Sequence, residues 1–220
     1  MSKIVIIGAG EFAQIAYEYF THDSEHDVIG FCVEREYLTQ TELFGLPITA
    51  LEDMPQQYPA DDFLAFIGIP ASNMNRLRKR LYTEVKKLGY KFASYISSHA
   101  FIWHNAEIGE NTFIFENNVV QPFTRIGNNC ILWSGNHIGH RTVIHDHCFL
   151  SSHVVVSGYC DVGSGSFLGV NSTLNDNIKI GEYCLVGSGA QVVKDTEAEK
   201  IYVGSPARAV PGKSSFDAGI

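Results

Sequence analysis

The sequence predicts an N-terminal α/β domain followed by a parallel β-helix. A strand, a glycine turn, a helix and a second strand open the chain, and a six-residue period follows. From Ile96 to Val192 every sixth residue is aliphatic, at seventeen consecutive positions. Neither the helical period of about 3.6 residues nor the alternation of an ordinary strand gives this spacing. A parallel β-helix does, because each hexapeptide supplies one short strand and one corner.

Two other positions of the repeat are also restricted. The residue four places after the aliphatic one is usually small, and four of the five cysteines occur there. We interpret these cysteines as compact core residues, because the chain has no Cys-x-x-Cys pair. Glycine often follows the aliphatic residue directly, and we expect it to form the tight corners. These glycines are Gly109, Gly127, Gly139, Gly163, Gly169, Gly181 and Gly187.

Residues 1–95 predict a Rossmann-like domain, and residues 96–220 predict the β-helix with its C-terminal tail. The predicted elements are strands at 3–7, 28–33, 63–67 and near 92–96, and helices at 11–20 and 72–88. The turn Gly8-Ala9-Gly10 joins the first strand to the first helix, whose N-terminal N–H groups can bind a phosphate. A domain of this length holds one mononucleotide-binding half, which favours a sugar nucleotide over a dehydrogenase cofactor. The alternative is a turn that only packs the helix against the strand.

Composition limits the partners. The 220-residue chain has a net charge of −8, which argues against a nucleic-acid backbone or an anionic membrane as its main partner. The apolar run at the N-terminus is too short for a signal peptide, and no segment is long enough to span a bilayer. Five cysteines without a paired spacing suit a reducing compartment, so we expect a cytoplasmic protein.

Two motifs carry a resemblance to a known family. The hexapeptides followed by Gly-Ser-Pro-Ala-Arg at 204–208 resemble the left-handed β-helix acyltransferases that use acetyl-CoA. With Ile-Ile-Gly-Ala-Gly-Glu-Phe-Ala at 6–13, essentially the whole chain resembles the NeuD/PglD-like sugar acyltransferases. The resemblance implies a homotrimer with active sites between adjacent prisms. It also implies acetyl transfer from acetyl-CoA to the amino group of a nucleotide-linked amino-deoxysugar, for surface-glycan biosynthesis, with no metal.

The resemblance implies roles for individual residues. The family's catalytic histidine follows an Ile-x-His pattern, which His140 matches, and we expect this residue to be the general base. The family often has an acid directly after it, but this chain has Arg141, so another acid would have to orient the ring. The implied substrate-binding residues are Gly10, Glu11, Phe12, Val33, Glu34 and Gly68. The implied acetyl-CoA residues are Phe149, Val170, Gly187, Ser188 and Gly189, with Lys194 and Arg208 for the phosphates.

The chemistry of acetyl transfer independently requires a base. An amine that attacks a thioester must lose a proton, so one base that titrates near neutrality suffices. Backbone N–H groups of glycine-lined coils can stabilise the oxyanion, and the thioester is already activated. We therefore expect direct transfer in a ternary complex. The sequence leaves the choice between amine and hydroxyl acceptors open, and a sialic-acid-type sugar O-acetyltransferase is the alternative.

The sequence leaves two other functions open, a zinc enzyme that uses the histidines and a scaffold without catalysis. Ile-Gly-His-Arg-Thr-Val-Ile-His resembles γ-class carbonic anhydrases, which would use His104, His140 and His145 as zinc ligands. Two coils, or roughly 10 Å, separate the first two, while zinc takes nitrogens at about 2 Å. Only a subunit interface could close that site, and the front domain and tail have no role in it. A non-catalytic trimeric scaffold would leave the glycine turn and the tail unexplained. We interpret His99, His147 and His153 as corner or interface residues and leave His137 between the cleft and trimer packing.

Overall fold

The front of the chain forms a five-stranded sheet flanked by helices. The computed structural model describes residues 2–219. The strands are β1 (Lys3–Ile7), β2 (Asp27–Val33), β3 (Glu42–Leu43), β4 (Leu46–Ala50) and β5 (Phe63–Ile67). The helices are α1 (Glu11–His22), α2 (Met54–Gln57) and α3 (Arg76–Lys87), with 3₁₀ turns at Arg35–Tyr37 and Leu51–Asp53. The strand order is β3-β4-β2-β1-β5, with only the β3–β4 pair antiparallel.

The sequence predicts strands β1, β2 and β5 and the first helix closely. Strands β1 and β5 have the expected bounds, β2 begins one residue earlier, and α1 continues to His22. The predicted start of the long helix at residue 72 is wrong, because α3 begins at Arg76. Asn73, Met74 and Asn75 all have positive φ and form a left-handed turn that interrupts the helical pattern. The short hairpin of β3 and β4 was not predicted.

The repeat region forms a three-sided prism of seventeen two-residue strands, β6 to β22 in chain order, in which equivalent positions of successive coils are 18 residues apart. Face 1 contains Tyr95–Ile96, Phe113–Ile114, Ile131–Leu132, Phe149–Leu150, Phe167–Leu168 and Leu185–Val186. Face 2 contains Phe101–Ile102, Val119–Val120, His137–Ile138, Val155–Val156, Thr173–Leu174 and Gln191–Val192. Face 3 contains Glu107–Ile108, Arg125–Ile126, Val143–Ile144, Asp161–Val162 and Lys179–Ile180. These parallel stacked sheets fit the predicted left-handed β-helix.

The aliphatic period fills the interior of the prism as predicted. From Ile114 to Val192 the aliphatic position is at most 3% exposed in every hexapeptide. Burying one such side chain stabilises the fold by about 1.5–3 kcal/mol. The first positions differ, because Ile96 is 40% exposed and Ile102 and Ile108 are only half-buried. These three residues belong to the first coil, which has no preceding coil to cover it.

The corner role predicted for the recurring glycines is wrong. The residues with positive φ lie two places later in the repeat, and most are not glycine. They are Asn111, Asn117, Phe123, Asn129, Gly135, Arg141, His147, His153, Tyr159, Gly165, Asn171, Asn177, Tyr183 and Gly189. The recurring glycines instead allow adjacent coils to approach closely. A Cβ on Gly163 would lie 2.7 Å from the backbone nitrogen of Glu182 in the next coil.

The C-terminal tail continues one face of the prism. Strand β23 (Lys200–Val203) pairs in parallel with Leu185–Val186 on face 1. Strand β24 (Arg208–Ser214) then returns antiparallel to β23, and a 3₁₀ turn, Ser215–Ala218, follows. Among the helices of residues 2–219, none has the length and apolar composition to cross a bilayer.

An aromatic core joins the two parts of the chain. The outward side chains of face 1 pack under α1, where the ring of Phe12 lies 5.6 Å from that of Phe113. Arg78 of α3 is fully buried at the same junction. Its guanidinium donates to the carbonyl oxygen of Ile67 and, at 2.9 Å, to those of Ile69 and Asn111. It also donates to Asn129 O at 3.3 Å. One cation therefore bonds to the end of β5 and to two coils of the prism.

We expect Gly163→Ala to destabilise the protein by about 1–3 kcal/mol, because the added methyl group overlaps the backbone of the next coil. The matched control is Ser164→Ala at the neighbouring corner position, which adds no atoms. Thermal unfolding of both variants beside the wild type measures the difference. Equal unfolding midpoints for the two variants would contradict the close-approach explanation.

Candidate active site

The front domain contains a cavity of about 490 Å³ at the carboxyl ends of β1 and β2. Gly8, Ala9 and Gly10 line one side of it. Gly8 has a φ of +121°, and its N–H donates to the Cys32 carbonyl oxygen at 2.7 Å. A Cβ there would lie 2.9 Å from the carbonyl oxygen of Gly68, so only glycine fits. The turn thus places the backbone against the cavity wall without a side chain between them.

Helix α1 begins beside this cavity. Gly10 is its N-cap and provides no side-chain cap. The N–H groups of a first helical turn have no intrahelical acceptors and carry the positive end of the helix dipole. The turn therefore offers hydrogen-bond donors to an anion such as a phosphate. Glu11 lies in this first turn and is exposed.

Glu34 provides a carboxylate at the cavity. It follows β2 directly, and Arg80 of α3 donates to both of its oxygens, at 2.8 and 2.9 Å. The hydrogen bonds from Arg80 lower the pKa of Glu34, so the group is ionised at neutral pH. Val33 lines the cavity beside it.

The structure separates the remaining implied substrate residues from the cavity. Phe12 is buried in the aromatic core, with its ring 6.4 Å from that of Trp133, and does not line the cavity. Gly68 lies behind the cavity wall, where a Cβ would be 2.7 Å from Ile6 Cγ2 and 2.9 Å from Ala13 Cβ. Other lining residues were missed, because no motif marks them. They are Tyr37, Thr39, Gln40, Ile48, Ile69, Leu77 and Leu81.

A second polar region lies on the prism, at the corner between faces 2 and 3. We call it the histidine corner. Its stacked residues are His104, Pro122, His140, Gly158, Asp176 and Lys194. Successive coils of this stack are in contact, since the backbone N–H of Gly158 donates to Asp176 Oδ1 at 3.0 Å. His140 is exposed at the middle of the corner.

Three residues surround the ring of His140. The amide oxygen of Gln121 accepts the backbone N–H of His140 at 2.9 Å and lies 3.3 Å from its Nδ1. The Tyr159 ring packs edge-on at 5.1 Å between centroids. A Cβ on Gly158 would lie 2.6 Å from His140 Cε1, so the ring rests directly on that glycine. Arg141 does not take part, because its guanidinium lies 4.5 Å above the Phe123 ring.

The other histidines have separate environments. His145 Nε2 lies 3.1 Å from Asp161 Oδ1 on face 3. His147 is buried against Asn129, and desolvation lowers its pKa to about 4. His153 occupies a corner with positive φ, and His137 is half-buried on face 2. Within residues 2–219, no three His, Cys, Asp or Glu side chains come together as metal ligands.

The residues implied for acetyl-CoA divide between different parts of the prism. Val170 and residues 187–189 lie together at the corner between faces 1 and 2, where Gly189 N donates to Val170 O at 2.8 Å. Lys194 belongs to the histidine corner, three coils from His140, or roughly 14 Å. Phe149 is buried on face 1 and stacks on Phe167, with ring centroids 5.0 Å apart. Arg208 begins β24 and donates to the adjacent carbonyl of Ala207.

The prism and the front domain together define the class of this protein, which is a hexapeptide-repeat protein with an N-terminal α/β domain. The profile of the family described as bacterial transferase hexapeptide (six repeats) matches residues 105–140 and 123–158. No curated protein sequence matches the chain.

Several solved structures share the whole architecture. A mutant of perosamine N-acetyltransferase from Caulobacter crescentus, in complex with CoA and GDP-perosamine, has a TM-score of 0.83 and 21% identity. The match covers 96% of this chain and 97% of that one. The acetyltransferase domain of PglB from Neisseria gonorrhoeae FA1090 gives 0.84 and 21%, and WeeI from Acinetobacter baumannii AYE gives 0.76 and 24%. Both matches cover 96% of this chain and 100% of the other. The predicted resemblance to NeuD/PglD-like sugar acyltransferases is thereby confirmed in fold.

Proposed function

We propose that this protein is an acetyl-CoA-dependent acetyltransferase that acts on the amino group of a nucleotide-linked amino-deoxysugar. The observation that supports this most directly is the exposed, oriented ring of His140 on a hexapeptide prism that carries a cavity-bearing α/β domain. The shared fold with proteins crystallised with CoA and GDP-perosamine supports the same reaction class. The product would serve surface-glycan biosynthesis in the cytoplasm.

In this proposal residues 1–95 form a Rossmann-like nucleotide-binding domain. A cavity of about 490 Å³ is within the usual range for a small-molecule site. The first turn of α1 binds a phosphate, and the ionised Glu34 accepts hydrogen bonds from ribose hydroxyl groups, as acids after the second strand do in related folds. The nucleotide thus anchors the sugar, whose amino group extends toward a histidine corner.

Residues 96–220 then perform the transfer. The amine attacks the thioester carbonyl of acetyl-CoA while His140 accepts a proton from it. Backbone N–H groups of the coils stabilise the oxyanion that forms. When the intermediate collapses, the carbon–sulfur bond breaks, and the thiolate of CoA leaves and takes up a proton. No acyl-enzyme is needed.

We also propose a homotrimer assembled through face 2. Face 1 is covered by α1, and the outward positions of face 3 include Glu107, Arg125 and Asp161. The outward positions of face 2 instead hold no Asp, Glu, Lys or Arg, and they include the exposed Phe101 and Val155. Closed symmetry buries such a face against copies of itself. The histidine corner and the corner that contains Val170 lie on opposite sides of face 2. Contact through face 2 could therefore place the Val170 corner of one subunit beside the histidine corner of its neighbour.

The assembly is expected to have three times the 24.4 kDa mass of the chain. Light scattering at micromolar concentration measures this mass. Phe101→Glu places a charge on face 2 and should dissociate the trimer, whereas Glu107→Gln on face 3 should not. A wild-type protein that is monomeric under these conditions would exclude an active site shared between subunits.

His140→Ala is expected to reduce acetyl transfer on the order of 10²–10⁴-fold, because the variant loses its general base. Acetyl-CoA affinity should change little, since the base does not hold the cofactor. His104→Ala and His145→Ala are the matched controls and should retain most activity, also after dialysis against a chelator. Equal losses in all three variants, with about one zinc per chain, would favour the carbonic-anhydrase-like alternative.

Calorimetric titration with UDP, dTDP and GDP sugars tests the front domain. A Cβ on Gly10 would meet no atom within 4 Å, and its φ is −77°, so Gly10→Trp should fold normally. Because Gly10 lines the cavity, we expect the large side chain to abolish nucleotide-sugar binding and leave acetyl-CoA binding intact. Gly10→Ala is the small control. If the wild type binds none of these sugars, the glycine turn has only a packing role.

A further inference from the structure

The amide group of Gln121 contacts His140 at two points. Gln121 lies in the coil that precedes His140, directly after the face 2 strand Val119–Val120. Its backbone N–H donates to the Ile138 carbonyl oxygen at 3.0 Å, which fixes the residue to the prism. One side-chain oxygen then faces both the backbone N–H of His140, at 2.9 Å, and Nδ1 of the same residue, at 3.3 Å.

The backbone N–H settles which way the amide points. The oxygen and nitrogen of a glutamine amide are hard to distinguish by shape, so their assignment depends on hydrogen-bond partners. A backbone N–H can only donate, so the atom that faces it must be the amide oxygen. The same oxygen also faces Nδ1. It has no hydrogen to donate, so Nδ1 must carry the proton if the two groups are bonded.

This assignment fixes the state of the catalytic ring. A neutral imidazole has one protonated and one unprotonated nitrogen, so a proton on Nδ1 leaves the lone pair on Nε2. The 3.3 Å separation is at the long end of the hydrogen-bond range, and such contacts often tighten when substrate binds. Gly158 below the ring and Tyr159 at its edge keep the imidazole in this orientation.

We propose that Gln121 is the positioning residue of His140 and replaces the acid that Arg141 displaces. The inference rests on the proposed acetyl transfer and names the group that selects the tautomer. An amide orients the ring without the negative charge that a carboxylate would add. A nearby carboxylate would favour the protonated imidazole, and the neutral amide does not add that effect.

The other charged and titratable groups near the ring of His140 do not bond to it, because they have other contacts or lie too far away. Arg141 lies over Phe123, and the carboxylate of Asp176 accepts the backbone N–H of Gly158. The Tyr159 ring stands perpendicular to the imidazole, and Lys194 is three coils away. In the described part of the chain, the hydrogen-bond partner of the His140 ring is the neutral amide.

The kinetic test compares Gln121→Leu and Gln121→Glu with the exposed control Gln56→Leu. Gln121→Leu removes the acceptor, and we expect kcat to fall on the order of 10–100-fold, as for other groups that orient a functional histidine. The KM for acetyl-CoA should stay within about twofold. Gln121→Glu keeps an acceptor and should retain most turnover, but the acidic limb of its pH–rate profile should move up by about one pH unit. Wild-type turnover and an unchanged pH profile in both variants would overturn the proposal.

A second measurement needs no turnover. Nitrogen-15 NMR of histidine-labelled protein, assigned with His140→Ala, reports which ring nitrogen carries the proton at a pH where the ring is neutral. We expect the Nδ1–H tautomer in the wild type and a shift toward Nε2–H in Gln121→Leu. A wild-type Nε2–H tautomer would refute the positioning role. If instead the tautomer is as expected but His140→Ala retains full activity, the proposed base fails and not the contact with Gln121.

Discussion

The arrangement of the molecule depends on the buried guanidinium of Arg78. Its hydrogen-bond acceptors within residues 2–219 are backbone carbonyl oxygens from β5, the segment after it, and two prism coils. Burial lowers the pKa of Arg78 to about 9, so it remains a cation at neutral pH. A buried cation is tolerated only when its donors are satisfied, so each carbonyl must keep its place. Because Ile69 also lines the cavity, this bonding fixes the proposed nucleotide site relative to the prism.

The repeat could be predicted because each coil places its aliphatic residue in the same environment as the coil before it. The period therefore stands out wherever a neighbouring coil exists, and it misleads at Ile96, where none does. The recurring glycines mislead for a related reason. Gly163 is required by the backbone of Glu182, a contact between coils, whereas the local φ requirement falls on corner residues such as Tyr159. In the β3–β4 hairpin, β3 has only two residues, which is too short to show a period.

The residues of the candidate site also differ in whether a local pattern marks them. The candidate base His140 carries a local motif that the sequence shows, whereas Gln121 contacts it from the previous coil and has no motif. Its signal was nevertheless present, because residues about 18 apart are neighbours in a three-strand coil. Phe12 and Phe149 show the opposite case, in which positions implied by resemblance lie in the core between the two parts of the chain. That burial results from tertiary packing, which local patterns do not encode.

The hairpin of β23 and β24 affects how prisms can associate. A stack of parallel coils ends in unpaired N–H and C=O groups, and such an edge can add strands from another molecule. Here the last parallel strand of face 1 is paired with an antiparallel one that contains Pro211, a residue without an N–H to donate. The tail therefore opposes end-to-end polymerisation along the prism axis. If prisms associate through a side face, as in the proposed trimer, the assembly closes at a limited size instead of growing into a fibre.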